Sequence, residues 1–504
     1  MKKNKTLYRI LIILGFIFIN AAVVFGLSQV YAYLNTGADP ASMLHLDLKR
    51  TTYYSPDVTW VSIENPGRPI DEANKRKIEQ DYLDAWYVKN QAFETGNDQG
   101  IYDHFTDKAR AKVRALINLN QAEQIKIKST TLSHNITLDF YSDDGTVAIL
   151  TDRNVAGVEK IYKNDAFILQ RDFNNDYHIM LLLEDGFWRI RHFEKLSANE
   201  IRPSVTEIAT IETTAIEGIN YYPKDTPWDT FGENFDAAII EQDFKIINDL
   251  KLNTIRVFVG YEDFGKASVA KAKLKKLQIL LEKAEKANLK VMLTLFDFYG
   301  NYDIQDWTLT NKHLSAVVNS VKDYKALASW DIKNEPNLDF ENRGEQRVVS
   351  WLSQTLKKLK QLDSIHPVTI GWSSPETALI LEDEVDYVSY HFYKDLDGLS
   401  EAHNKIKKGT NKPIILQEMG LSTYHGLWNP LGSNEDDQAA YYAHFLEIQK
   451  RDSINYLSWT LFDFGEIPNS VAGFYPWRKH KQAYFGLIDF VGAKSKSYSI
   501  IKNR

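Results

Sequence analysis

The feature that most constrains the fold is an alternation of short apolar runs with amphipathic helical stretches between residues 211 and 504. Alternating strands and helices predict a parallel sheet, and eight repeats at this spacing fit a closed (β/α)8 TIM barrel. An open doubly wound sheet is the alternative, but no glycine-rich phosphate turn follows the first run. The eight predicted strands cover residues 216–222, 254–259, 290–296, 327–336, 367–372, 387–393, 413–420 and 454–464.

The amino terminus combines a basic flank, residues 1–9, with an uncharged and largely apolar run, residues 10–33. This run is long enough to cross a bilayer as a helix, and the basic flank is expected to stay in the cytoplasm. We therefore expect a membrane anchor, with the rest of the chain in the periplasm or at the cell surface. The alternative is a signal peptide cleaved after Ala32, which would give a secreted protein.

The middle of the chain predicts a smaller α+β domain over residues 71–200, joined to the apolar run by a linker over residues 34–70. The linker contains one possible short strand, the segment DVTWVSI. A helical pattern begins at Glu72 and stops at Gly96, a second helix follows, and four strand-like stretches come next. This order resembles the NTF2-like fold, a cone-shaped sheet packed on helices. The pattern assigns no chemistry to this domain.

Two glutamates end opposed strands of the predicted barrel. Glu335 lies in the segment SWDIKNEPN at the end of the fourth strand, and Glu418 lies in ILQEMG at the end of the seventh. Because the carboxyl ends of barrel strands converge on one face, the two carboxylates are expected to flank one bond. A pair of carboxylates roughly 5–5.5 Å apart is what glycoside cleavage with retention requires.

The NEP motif after the fourth strand, together with the second glutamate, resembles clan A of the glycoside hydrolases, especially the cellulase-like family 5, over about residues 211–503. The resemblance implies double displacement on a β-linked oligo- or polysaccharide, with Glu335 as acid/base and Glu418 as nucleophile. It also implies that Asn334 binds the sugar 2-hydroxyl, that Arg256 at the end of the second strand supports Glu418, and that Trp459 forms the floor beneath the sugar. The remaining residues that it assigns to this site are His391 and Tyr393.

Other candidate site residues depart from the family pattern or are less specific. Family 5 members often carry a histidine after the third strand, where this chain has Asp297. Four tryptophans lie in or beside strand-end loops and are candidates for sugar subsites, with ordinary packing as the alternative. They are Trp228, Trp372, Trp428 and Trp477.

Composition excludes several other classes of function. A net charge of −7 argues against a nucleic-acid partner, and the absence of cysteine excludes thiolate chemistry. No paired histidine–carboxylate motif predicts a metal site, and no cofactor is expected. The sequence leaves protein partners open. Two other functions stay open: a transglycosylase that remodels an exported polysaccharide, and a non-catalytic carbohydrate-binding or scaffold protein built on a former enzyme barrel.

Overall fold

The structure is a computed structural model that describes residues 54–63, 68–198, 215–427 and 429–504, together with short helical pieces within residues 14–25. Residues 53–504 form one compact unit, and residues 1–52 form another. Within the described residues, no helix has the length and apolarity needed to cross a bilayer. The basic flank, most of the predicted 10–33 segment, and residues 34–53 and 64–67 of the predicted 34–70 linker lie outside the described residues. The anchor and the signal peptide therefore both stay predictions.

The smaller domain is a five-stranded sheet in the order β1-β2-β3-β4-β5. The first pair of strands is parallel and the other three are antiparallel. The segment DVTWVSI pairs with the second strand, so the sheet includes a strand from the predicted linker. The strands are β1 (Asp57–Ile63), β2 (Ile125–Tyr141), β3 (Val147–Lys163), β4 (Ala166–Glu184) and β5 (Phe187–Ala198).

Three helices cover one face of this sheet, namely α1 (Glu72–Thr95), α2 (Ile101–His104) and α3 (Asp107–Ala122). The first helix has the predicted bounds. Asp71 caps its amino end by accepting hydrogen bonds from two backbone amides, and Gly96 ends it with a φ of 75°. Apolar side chains from the helices and the inner sheet face, such as Trp86 and Ile136, form a separate core. Resemblance to the NTF2-like family stays a prediction.

The larger domain is a closed barrel of eight parallel strands. Ser458 of the last strand pairs with Ile219 of the first, so the sheet has no free edge and the predicted TIM barrel is confirmed. Its strands are β6 (Glu217–Asn220), β7 (Thr254–Gly260), β8 (Lys290–Asp297), β9 (Leu327–Asn334), β10 (Val368–Trp372), β11 (Val388–Phe392), β12 (Ile414–Met419) and β13 (Asn455–Ser458).

Helices between these strands cover the outside of the barrel, so strands such as β10, β11 and β12 are buried along their whole length. The helices are α4 (Ala237–Asp249), α5 (Lys271–Lys286), α6 (Trp307–Val321), α7 (Phe340–Arg343), α8 (Glu345–Leu362), α9 (Leu399–Gly409), α10 (Glu435–Asp452), α11 (Asn469–Ala472), α12 (Pro476–Ala483) and α13 (Lys496–Lys502). Short 3-10 turns cover Ile304–Asp306, Pro336–Asp339 and Leu396–Gly398.

The sheet domain packs directly on the barrel. Val158 of β3 belongs to the apolar core of the barrel, and the Ser55 amide donates to Thr308 Oγ1 at 2.9 Å. Gln305 Nε2 donates to the backbone oxygen of Ser129 at 3.3 Å. Gln305 lies in the loop after β8, so the sheet domain supports a loop at the carboxyl end of the barrel.

Candidate active site

A cleft of about 670 Å³ opens at the carboxyl ends of the barrel strands. Both predicted catalytic residues, Glu335 and Glu418, line it. The position agrees with the general location of active sites in TIM barrels.

Glu335 follows β9 in a left-handed backbone conformation, with φ 47° and ψ 48°. Its amide donates to the Gly371 carbonyl of the neighbouring strand at 2.7 Å, and Pro336 then begins a 3-10 turn. A non-glycine residue in this conformation carries strain that the surrounding structure must offset. The strand thus ends in a fixed turn that directs the half-buried Glu335 side chain to the cleft.

Glu418 lies near the end of β12 and its side chain is almost fully buried. Its Oε1 accepts a hydrogen bond from Arg256 Nη1 at 2.5 Å, and its Oε2 accepts one from the Tyr393 hydroxyl at 2.9 Å. One carboxylate oxygen of Glu418 lies within 4.8 Å of one from Glu335. The two carboxylates therefore lie close together in the cleft.

Arg256 is fully buried and lies in the middle of β7, whereas the sequence placed it at the strand end, because β7 continues to Gly260. Its guanidinium donates to Asp331 Oδ2 at 2.7 Å and to Asn334 Oδ1 at 2.8 Å, as well as to Glu418. Burial opposes the positive charge, but Asp331 and Glu418 outweigh it and raise the pKa of Arg256. Arg256 thereby fixes the position of Glu418.

Asp331 and Thr294, which the sequence analysis missed, complete this buried network. Thr294 Oγ1 donates to Asp331 Oδ2 at 2.7 Å, and the Gly371 amide donates to Asp331 Oδ1 at 2.9 Å. Asp331 lies on β9 two residues before Lys333, and Glu335 directly follows this strand four residues after Asp331. Because every second side chain of a strand faces the same side, this spacing could have identified Asp331 as a residue of the site.

His391 connects the two carboxylates. Its Nδ1 lies 2.8 Å from Glu335 Oε1 and 3.5 Å from Glu418 Oε2, and the ring is fully buried. Burial opposes the imidazolium, but the two carboxylates raise the pKa of His391 above its ordinary value. Burial likewise opposes ionisation of Glu335, yet the hydrogen bond from His391 and its positive charge hold the pKa of Glu335 below its ordinary value. Both shifts favour a proton on His391 and a negative charge on Glu335.

Asn334 lines the cleft beside Glu335. Because its Oδ1 accepts from Arg256, its amide NH₂ group is available to donate to a bound hydroxyl. Tyr393 also lines the cleft, and its hydroxyl is held by Glu418. These placements are compatible with the roles that the sequence resemblance implies.

Aromatic rings form the floor of the cleft. Trp459 directly follows β13, and its ring centroid lies 6.2 Å from that of Trp228, which in turn contacts Tyr222 at 4.8 Å. The indole N–H groups of Trp459 and Trp228 are buried and have no hydrogen-bond partner among the described residues. Apolar ring faces with unpaired donors suit a ligand that combines C–H faces with hydroxyl groups.

The other predicted residues differ in whether they line the cleft. Asp297 ends β8 and lines the cleft, where burial raises its pKa to about 6. Trp372 is buried against Phe340, with ring centroids 6.2 Å apart, and does not line the cleft. Trp477 is exposed and stacks on Tyr475 at 4.6 Å, whereas Trp428 lies outside the described residues.

Three cations in the cleft wall were not predicted. Lys333 is buried at the end of β9, and its Nζ lies 3.7 Å from Asp339. Arg478 and Lys481 lie on α12, are exposed to the cleft, and have no carboxylate within 4 Å among the described residues. Arg478 and Lys481 could not be identified from the sequence, because α12 lies in the connection after the last barrel strand.

Glu335, His391 and Glu418 also supply three ligand atoms that lie within 4.8 Å of one another, a set that could hold a metal ion. The sequence analysis predicted no metal. In this arrangement the Arg256 guanidinium already supplies a positive charge at 2.5 Å from Glu418, and His391 is paired with Glu335. The contacts fit a hydrogen-bonded pair of carboxylates better than a cation site, since a bound cation would lie next to the guanidinium.

Comparison with known proteins points to one class. No family model matches the chain. A mannan endo-1,4-beta-mannosidase A from Aspergillus aculeatus is 29% identical over 156 residues, which cover 26% of this chain and 40% of that protein. A beta-glucuronidase from Chlorocebus aethiops is 25% identical over 271 residues, covering 49% of this chain and 38% of that protein.

Among solved structures, the exo-beta-1,4-mannosidase Op5Man5 from Opitutaceae bacterium strain TAV5 superposes with a TM-score of 0.49 at 16% identity. The match covers 57% of this chain and 58% of that one. The chain spans about two fifths of the length of the curated relatives that it matches. The two sequence relatives are glycosidases by name, in agreement with the glycoside hydrolase class that the sequence predicts.

Proposed function

We propose that this protein is a retaining glycoside hydrolase that acts on a β-linked oligo- or polysaccharide. One observation carries the proposal: carboxylate oxygens of Glu335 and Glu418 lie within 4.8 Å of each other across the barrel mouth. Inverting enzymes need roughly 6.5–9.5 Å between the carboxyl groups to admit a water molecule, whereas retaining enzymes need roughly 5–5.5 Å.

In the proposed first step, a Glu418 carboxylate oxygen attacks the anomeric carbon, and the bond from that carbon to the leaving oxygen breaks. Glu335 gives its proton to the leaving oxygen, so that a neutral alcohol departs. Because both pKa shifts favour the proton on His391 before substrate binds, His391 Nδ1 returns it to Glu335 Oε1 over 2.8 Å. In the second step, Glu335 removes a proton from water, whose oxygen displaces Glu418 from the sugar.

The surrounding residues support these roles. Arg256 and Tyr393 each donate to one oxygen of Glu418, which stabilises the carboxylate that must attack. The Asn334 amide is available for a sugar hydroxyl whose hydrogen bond strengthens in the transition state. The similarity to mannan- and glucuronide-cleaving enzymes supports a β-linked substrate without naming the sugar.

We place this activity outside the cytoplasm, at a membrane or in a secreted form, on the strength of the basic flank and the apolar run at residues 10–33. An exported enzyme with an open cleft is suited to polysaccharide chains. Neither a cofactor nor a nucleic acid has a part in the proposed mechanism.

The first test incubates the full chain and its Glu418→Gln variant with β-mannan, β-glucan, xylan and acidic exopolysaccharides. Mass spectrometry then reads the chain lengths of the products. Shortened chains from the unmodified protein alone would support the hydrolase. Chains longer than the input would support the transglycosylase. Binding without any conversion would favour the non-catalytic scaffold.

A second test separates the roles of the two glutamates by adding azide to Glu335→Ala and Glu418→Ala on an activated β-glycoside. With Glu335 removed, azide replaces water in the second step, so we expect a β-glycosyl azide. With Glu418 removed, azide attacks the substrate directly, so we expect the α-glycosyl azide. The opposite pairing, read by proton NMR, would exchange the two assignments.

A further inference from the structure

The sheet domain contains a cavity of about 690 Å³ that the proposed hydrolysis does not use. It lies between α1, α3 and the strands β4 and β5, and its size is typical of small-molecule sites. Its apolar lining consists of Phe93, Phe105, Val113, Leu116, Met180 and Phe193.

Lys89 of α1 lines this cavity among aromatic rings. Its Nζ lies 4.3 Å from the ring centroid of Trp86, 5.4 Å from that of Phe93 and 5.5 Å from that of Phe193. Among the described residues, no carboxylate lies within 4 Å of this ammonium group. A cation held in an apolar environment without a counter-ion is costly, and ring faces offset only part of that cost. Burial accordingly lowers the pKa of Lys89 to about 8.

The rim of the cavity is also basic. Lys108 and Lys112 of α3 and Arg191 of β5 line it, and in the described part of the chain none has a carboxylate within 4 Å. The lining contains no acidic side chain. The acidic group that acts on Lys89 is Glu159, which is itself paired with Arg171. The cavity thus presents four cations around an apolar interior.

We propose that this cavity binds a small amphiphilic anion, with a carboxylate or phosphate head beside Lys89 and an apolar tail against the phenylalanine rings. A neutral apolar ligand would leave the ammonium of Lys89 unpaired. A fully polar polyanion would leave the apolar wall without a partner. Only a molecule with both parts satisfies the whole lining, and this inference does not depend on the proposed hydrolase.

The test measures binding of octanoate, octyl phosphate and octanol to the full chain by calorimetry. We expect the two anions to bind more tightly than octanol by about tenfold or more, the contribution of one charge-assisted hydrogen bond. Lys89→Met should reduce this preference about tenfold and leave octanol binding unchanged. Lys126→Met is the matched control, because Lys126 is an exposed lysine of the same domain paired with Asp165. Comparing variants cancels any contribution from the apolar amino-terminal run.

Equal binding of octanoate and octanol, or an anion preference that Lys89→Met leaves undiminished, would overturn the proposal. If Lys89→Met does not fold, Arg191→Gln at the half-buried rim should still weaken anion binding severalfold. A preference for octyl phosphate over octanoate would identify the head group as a phosphate. Binding to anionic phospholipid vesicles without binding of the monomeric anions would instead assign the surface to a membrane and contradict the proposal.

Discussion

At the residue scale, the shared proton of Glu335 and His391 makes a prediction about pH. The imidazolium holds the pKa of Glu335 below its ordinary value. Replacing His391 with glutamine removes this charge, so the pKa of Glu335 should rise. In the parent, the alkaline limb of the kcat profile marks loss of the shared proton from His391, whose pKa is raised. In the variant the Glu335 carboxyl alone holds this proton, so the limb should move to lower pH, while kcat at the optimum falls about 10²-fold. A limb that stays in place would contradict the pairing, and the exposed His425→Gln serves as the control.

Gly371 gives a second prediction at this scale. A Cβ atom at this position would lie 2.5 Å from Gln417 Oε1 and 3.0 Å from Arg256 Nη2. Because both atoms belong to buried, hydrogen-bonded groups, Gly371→Ala should displace Arg256 and with it Glu418. We expect kcat to fall at least about tenfold and the free energy of unfolding to fall by about 1–3 kcal/mol. Normal kcat with a lowered thermal midpoint would show that the glycine serves packing alone.

At the scale of elements, the sequence predicted the eight strands and both carboxylates because apolar runs and strand ends are local features. It did not predict the buried partners of Arg256 other than Glu418. The family resemblance placed Arg256 at a strand end, whereas the strand continues beyond it to Gly260. Asp331 and Thr294 lie on neighbouring strands. Their contact with Arg256 depends on the register in which the strands pair when the barrel closes. Trp372 lies at a strand end, yet it packs against Phe340 in the core.

Helix α12 yields the prediction at this scale. Arg478 and Lys481 present two cations to the cleft, and no carboxylate of the described residues lies within 4 Å of either, whereas Lys479 on the same helix does not line the cleft. We therefore expect the double variant Arg478→Gln/Lys481→Gln to lose about tenfold in kcat/KM on an acidic glycan and to keep its activity on a neutral one. Lys479→Gln should leave both values unchanged. Equal losses on both glycans would show that the two side chains act by shaping the wall and not by charge.

At the scale of the whole molecule, the sheet domain and the barrel are joined through buried groups. Lys160 of β3 is almost fully buried, and its Nζ lies 5.1 Å from the ring centroid of Trp307 on barrel helix α6. Burial lowers its pKa from 10.5 to about 8. Between these two values the unfolded chain binds more protons than the folded one, so the stability contributed at this site rises with pH through that window. Below pH 8 the folded protein bears the full cost of the buried charge.

Replacement of Lys160 by methionine removes this cost and keeps the apolar stem of the side chain. We expect the thermal midpoint of the Lys160→Met variant to exceed that of the parent at pH 7, and the difference to shrink by pH 10, where the parent is already largely neutral at this site. Lys163→Met on the same strand should have little effect, because Lys163 is half exposed and paired with Glu123. If the sheet domain did not pack on the barrel, Lys160 would be hydrated and its replacement would be neutral at both pH values. The pH dependence of this one substitution therefore measures whether the two domains form a single folded body.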